Sequence, residues 1–148
     1  MRIVGITSLY LPTKPDRESL LHAVAHAYAV PEQDVSIGGY SSAPALYPPR
    51  RRVYLNLWHD AYEGDLRVAF DQEVDEALVA DIDATMQRLA EALGMAVVTN
   101  DSDAAPAFIH LPDGTTQRRY VDELDDGGLL LPPDLRARVA AEQPSRAA

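Results

Sequence analysis

Between Arg51 and Leu93 the spacing of hydrophobic residues changes from two to 3.6, which points to a fold where a sheet and a helix share one core. From Arg51 to His59, Val53, Leu55 and Leu57 alternate with Tyr54, Asn56 and Trp58. From Asp65 to Asp71, Leu66, Val68 and Phe70 alternate with Arg67 and Ala69. With Asp60–Gly64 between them, these runs predict an antiparallel hairpin with one apolar and one mixed face. Beyond the hairpin, Asp71 or Asp75 is placed to cap a long helix that ends near Leu93, with Gly94 as its stop. On that helix Val74, Leu78, Ile82, Met86, Leu89 and Leu93 fall within about one third of the circumference. Glu76, Asp83, Gln87 and Glu91 point the other way. The two periods together nominate a core of Leu55, Leu57, Val68, Phe70, Leu78, Ile82, Met86 and Leu89.

The remaining elements are shorter. Arg2 to Ser8 is a β-branched apolar run that suits a strand. Pro12, Pro15 and Asp16 mark a turn and a helix start, and Pro31 ends the helix predicted over Arg17–Ala29. Asp34 to Tyr40 reads as a strand, and residues 41–50 read as a loop. Met95 to Thr99 is a short apolar strand. A second hairpin joins Ala107–Leu111 to Thr115–Val121 through Pro112-Asp113-Gly114. Asp122 to Gly128 reads as an acidic exit loop, Pro133 to Gln143 as a short terminal helix, and the last residues are expected to fray. The predicted order is β-α-β-β-β-α-β-β-β with a final helix. This is an α+β plan of split β-α-β type with an added hairpin: an antiparallel or mixed sheet with two helices on one face. No linker divides the chain, so residues 1–148 are expected to form a single domain, with 122–148 as the exit loop and terminal helix.

Charge narrows the choice of partner. Among 148 residues, 13 are Lys or Arg and 23 are Asp or Glu, a net charge of −10. Residues 60–103 hold 2 of the basic and 12 of the acidic side chains, so that segment alone equals the whole net charge. Such a field repels phosphate backbones and anionic lipid and attracts basic proteins. Nucleic acid is therefore disfavoured as a partner, despite Arg50-Arg51-Arg52, and so is a membrane surface. No apolar run approaches the roughly 20 residues that span a bilayer, and no secretory leader is legible at Met1–Pro12, so a cytoplasmic protein is expected. The absence of cysteine excludes thiolate catalysis, disulfides and Fe–S clusters.

Catalytic patterns are sparse. His22 and His26 lie one turn apart with Glu18 a turn before, but no third strong ligand is placed by spacing, and no metal is expected. His59-Asp60 beside Asp65 reads as a polar hairpin tip, and His110 as a structural histidine between Ile109 and Leu111. There is no G-x-S-x-G elbow, Ser41-Ser42 has no linked His/Asp pattern, and Gly38-Gly39 lacks the spacing of a phosphate loop. Neither a catalytic residue nor a cofactor is nominated. The mixed hairpin face is the best candidate for a contact surface. Tyr54, Asn56 and Trp58, with Arg67 on the adjoining strand and Tyr62 in the turn, are mostly types enriched at binding hot spots.

Across residues 74–124, a long helix ending LAEALGMAVVTNDSD followed by PAFIHLPDGTTQRRYVDEL resembles small acidic bacterial immunity proteins of polymorphic toxin systems. The resemblance covers about a third of the chain and includes no catalytic motif. It implies a non-enzymatic inhibitor that covers the cleft of a basic partner, a toxin. The alternatives are a small-molecule-sensing domain using a helix–sheet crevice and an enzyme with an unrecognised site. An exposed acidic or aromatic patch favours the inhibitor, and an enclosed polar cavity favours the other two.

Overall fold

The computed structural model of the chain describes residues 1–40, 50–100 and 105–142. Most of the loop expected over 41–50, including Ser41-Ser42, and the fraying end lie outside the described residues. Strands β1 (Ile3–Leu11), β2 (Val35–Gly38), β3 (Val53–His59), β4 (Val68–Asp75), β5 (Val97–Asn100), β6 (Ala107–His110) and β7 (Thr116–Arg119) form one sheet. Their order is β2-β3-β4-β1-β5-β6-β7. Only β2 and β3 run parallel; every other neighbouring pair is antiparallel. Helices α1 (Arg17–Tyr28) and α2 (Ile82–Leu93) pack together on one face, as the sequence predicts for an α+β fold with a mixed sheet. A pair of two-residue strands, β8 (Asp122–Glu123) and β9 (Leu129–Leu130), precedes α3 (Pro133–Glu142).

Two split β-α-β units interlock in this order. The first, β1-α1-β2, has β3 and β4 between its strands, and the second, β4-α2-β5, has β1 between its strands. Local chemistry sets the helix ends. Asp16 accepts from the Ser19 amide at 3.2 Å to start α1. Gly94, at φ 67°, takes the left-handed turn that closes α2. Under the helices lie Leu9, Leu11, Val53, Leu55, Val68, Phe70, Val74 and Val97 from the sheet, against Leu20, Val24, Met86 and Leu89.

The long helix expected from Asp71 or Asp75 is divided. β4 continues through Asp75, a 3₁₀ segment occupies Glu76–Asp81, and α2 begins only at Ile82. The strand persists because its period-two face continues through Phe70, Gln72 and Val74, with Val74 paired to Val4 on one side and Val53 on the other. Gln72 hides this pattern by being polar while buried. Its Nε2 donates to the Thr7 carbonyl at 2.9 Å, where a β1 bulge sets Thr7 and Ser8 against one partner position, and Tyr28 donates to its Oε1 at 3.4 Å. Asp75 does act as a cap, but for the 3₁₀ segment, accepting from the Ala77 amide at 3.1 Å. Two of the nominated core residues on that segment and on α2, Leu78 and Ile82, are consequently only half-buried, as is Leu57.

The segment read as an acidic exit loop, Asp122–Gly128, also differs: it contains β8 and the turn that pairs it with β9 just beyond. With α3 it covers the face of β5 and β6 opposite the helices, where Leu129, Leu131 and Leu135 pack with Val98, Ala107 and Ile109. Arg119 and Asp134 form a two-pronged pair at 2.7 and 2.9 Å. One carboxylate oxygen of Asp65 accepts from both the Leu131 amide and Arg136.

Candidate functional site

The cover stops short of the other half of the sheet. Over β2, β3 and β4 the side facing away from the helices stays open among the described residues. Cross-strand register builds it in rows: Gly38, Asn56 and Asp71 in one, and Ser36, Tyr54, Glu73 and Gly5 in the next. Glycine and serine at the flanks leave the larger side chains of β3 and β4 standing above their neighbours. A side chain placed on Gly5 would meet no atom within 4 Å, so the space above this row is empty.

Trp58 sits in a bulge, where the β3 register shifts between Leu57 and His59 against Ala69, and it is 66 % exposed. A bulge interrupts the ladder and re-aims the extra residue. Tyr54 is half-buried, with its hydroxyl accepting from the Arg51 amide at 3.1 Å. Asp71 and Glu73 are exposed and make no ion pair among the described residues. Neighbouring acids are matched: Asp60 by Lys14 at 3.0 Å, Asp75 by Arg52 at 2.9 Å and Asp65 by Arg136 at 2.8 Å. The Ala77 amide, and after it the Arg52 guanidinium, hold the Asp75 carboxyl below its ordinary range. Asp71 and Glu73 therefore set unpaired negative charge on the strand beside Asn56 and Tyr54. Comparison with family models, curated proteins and solved structures finds no match to this chain. The site must be argued from its own chemistry.

The sequence-nominated residues divide accordingly. Tyr54, Asn56 and Trp58 share the open strand. Tyr62 does not join them. It is only 9 % exposed, packed against Gly127 and Gly128 with the His59 ring 4.0 Å away, centre to centre. Its role is to seat the β8–β9 turn on the hairpin loop. Asp126 fixes that contact by accepting from the Glu63 amide at 2.7 Å and the Gly128 amide at 2.9 Å, which also lowers its pKa. Any side chain at Gly128 would run into the Glu63 carbonyl. Arg67 lies just before β4, exposed at the rim, with its Nε turned back to the Tyr62 carbonyl at 3.4 Å. Asp71 reads from the sequence as a candidate helix cap and Glu73 is not nominated, although their alternation with Phe70, Gln72 and Val74 is the available signal.

The histidines have local explanations. His22 pairs with Glu32 at 3.0 Å on an exposed helix face. His110 is fully buried and hydrogen-bonded through Nδ1 to the Thr116 hydroxyl at 3.0 Å. Thr116 gives its own proton to Gln87 Oε1 at 2.6 Å, so the His110 Nδ1 carries the hydrogen. Gln87 completes the chain by donating to the Leu111 carbonyl. Among the described residues, no group of three metal-ligating side chains converges.

Proposed function

We propose that this protein is a non-enzymatic inhibitor of the immunity type, occluding a basic partner protein by laying the open β2-β3-β4 face over it. The observation that carries this reading is the pairing of exposed Trp58 with Asp71 and Glu73, which make no ion pair among the described residues. Flat sheet faces accept large surfaces, and unpaired carboxylates beside an aromatic offer both steering and an anchor. The segment carrying the full net charge supplies the long-range attraction, which favours a positively charged target and disfavours nucleic acid. No described helix is long and apolar enough to cross a membrane, and a cytoplasmic site of action belongs to this proposal.

The test uses an inactivated form of the protein encoded beside this chain, with binding rates followed by surface-based kinetics. Raising salt should slow association of the wild type, and Asp71→Asn with Glu73→Gln should slow it at low salt. Trp58→Ala should speed dissociation, costing about 2 kcal/mol if the indole fills a pocket on the partner. Its fold should be preserved, since the indole is largely solvated. Wild-type rates in both variants would sink the reading.

A further inference from the structure

A second opening lies on the helix side of the sheet, where β5 ends. Among the described residues β1 pairs with β5 only over Ser8, Leu9 and Tyr10, so Ile3–Thr7 has β4 along one edge and no described strand along the other. α2 and the 3₁₀ segment before it bridge this gap and leave a cavity of about 690 Å³. That volume falls within the range of about 300–1,000 Å³ typical of small-molecule sites. Its apolar wall is Ile6, Val79, Ile82, Met86 and Phe108. Val79 and Ile82 remain half-buried here, so this part of the apolar stripe is not closed off by the described residues.

The polar lining selects the charge of an occupant. Thr7, Ser8, Thr99 and Asn100 contribute neutral groups, and among the described residues Asp83 is the one charged member of the lining. Arg118 lies over the Phe108 ring at 5.2 Å but does not line the cavity. An anion entering would lose its hydration next to a carboxylate with no cation in the lining to replace it. Asn100 Oδ1 is buried and has no donor among the described residues, so the wall lacks an N–H or O–H partner at that point.

We infer that this cavity binds a small organic amine, with its apolar body against Ile82, Met86 and Phe108 and its ammonium directed to Asp83 and Asn100. The site is on the opposite side of the sheet from the Trp58 face and does not depend on the partner proposed for that face.

The test compares 2-phenylethylamine with 3-phenylpropionate, similar aromatic bodies of opposite charge, by methyl NMR of the full chain labelled at Met and Ile. The amine should shift the Met86 and Ile82 methyl signals saturably, and the carboxylate should not. Asp83→Asn, an exposed substitution, should weaken the amine about tenfold or more through loss of a charged hydrogen bond. Val79→Trp, confirmed folded by its melting curve, should fill the cavity and abolish the shifts. The inference is overturned if the amine gives no saturable shift, if the carboxylate binds as well, or if Asp83→Asn binds the amine like wild type.

Discussion

The two halves of the sheet solve the same burial problem differently on the face away from the helices. Across β5 and β6 that face is closed: Val97 faces the helices, while Val98, Ala107 and Ile109 meet Leu129, Leu131 and Leu135. Across β2, β3 and β4 only the helix face is closed, and the other presents Tyr54, Asn56, Trp58, Asp71 and Glu73. The closed half depends on a short C-terminal segment held by Arg119–Asp134 and by Asp65. That short cover reaches one half and, among the described residues, leaves the other exposed.

Truncation should separate the halves most strongly. Ile109→Ala removes a fully buried side chain beneath Leu129 and Leu135 and should cost about 2–5 kcal/mol. Trp58→Ala removes a larger side chain from the same side of the sheet and should change stability by only about 0.5 kcal/mol or less, because the indole is mostly solvated. Chemical denaturation measures both. Comparable losses would mean that the open half is closed in solution.

A smaller effect should come from protonation inside the closed half. Burial pushes the His110 imidazole below its ordinary value, so the folded state favours the neutral ring more than the unfolded chain does. That contribution is complete above the unfolded histidine range near pH 6.5 and is lost as pH falls through and below it. Melting temperatures from pH 7.5 down to 5.5 should drop more steeply for the wild type than for His110→Gln. Parallel curves would remove His110 as a source of acid sensitivity.

The smallest effect is expected at the edge of the cover. Asp134→Asn weakens an exposed pair with Arg119 and should lower the melting temperature only slightly, less at high salt. The guanidinium holds the Asp134 carboxyl below its ordinary value, so this contribution is present at neutral pH and lost as pH falls through that depressed value. Faster amide exchange confined to α3 and β9 is the expected signature, and unchanged exchange would show that Leu135 packing alone seats the helix.

The contrast between the halves also explains what the sequence made legible. Where one face is solvated, as in β3, period two names the strand and its inward residues correctly. Where both faces are buried, as at Met95-Ala96-Val97-Val98, the apolar run is continuous; it identifies a strand and says nothing of what covers it. β8 and β9 have two residues each and sit in an acidic stretch, too short for any period to register. Gln72 misled for a different reason: its polarity is satisfied by Thr7 and Tyr28, contacts distant in sequence. For the candidate surface, alternation placed Tyr54, Asn56 and Trp58 together. The burial of Tyr62 depends on Gly127 and Gly128, and the cavity beside α2 on where β5 ends, both purely tertiary matters.

The central position of β1 has a consequence for how the chain emerges from the ribosome. β1 is made first, yet its neighbours are β4, beginning at Val68, and β5, ending at Asn100. Throughout synthesis of the intervening residues, Ile3–Leu11 is an apolar strand with two unsatisfied edges, the kind of segment other nascent chains can pair with. The β3–β4 hairpin can form from local contacts alone, whereas β1 must wait to enter beside it, a long-range step that slows folding. Vectorial synthesis therefore makes the oldest strand the last to acquire both of its partners, and the interval before β5 appears is when this protein is most exposed to misassembly.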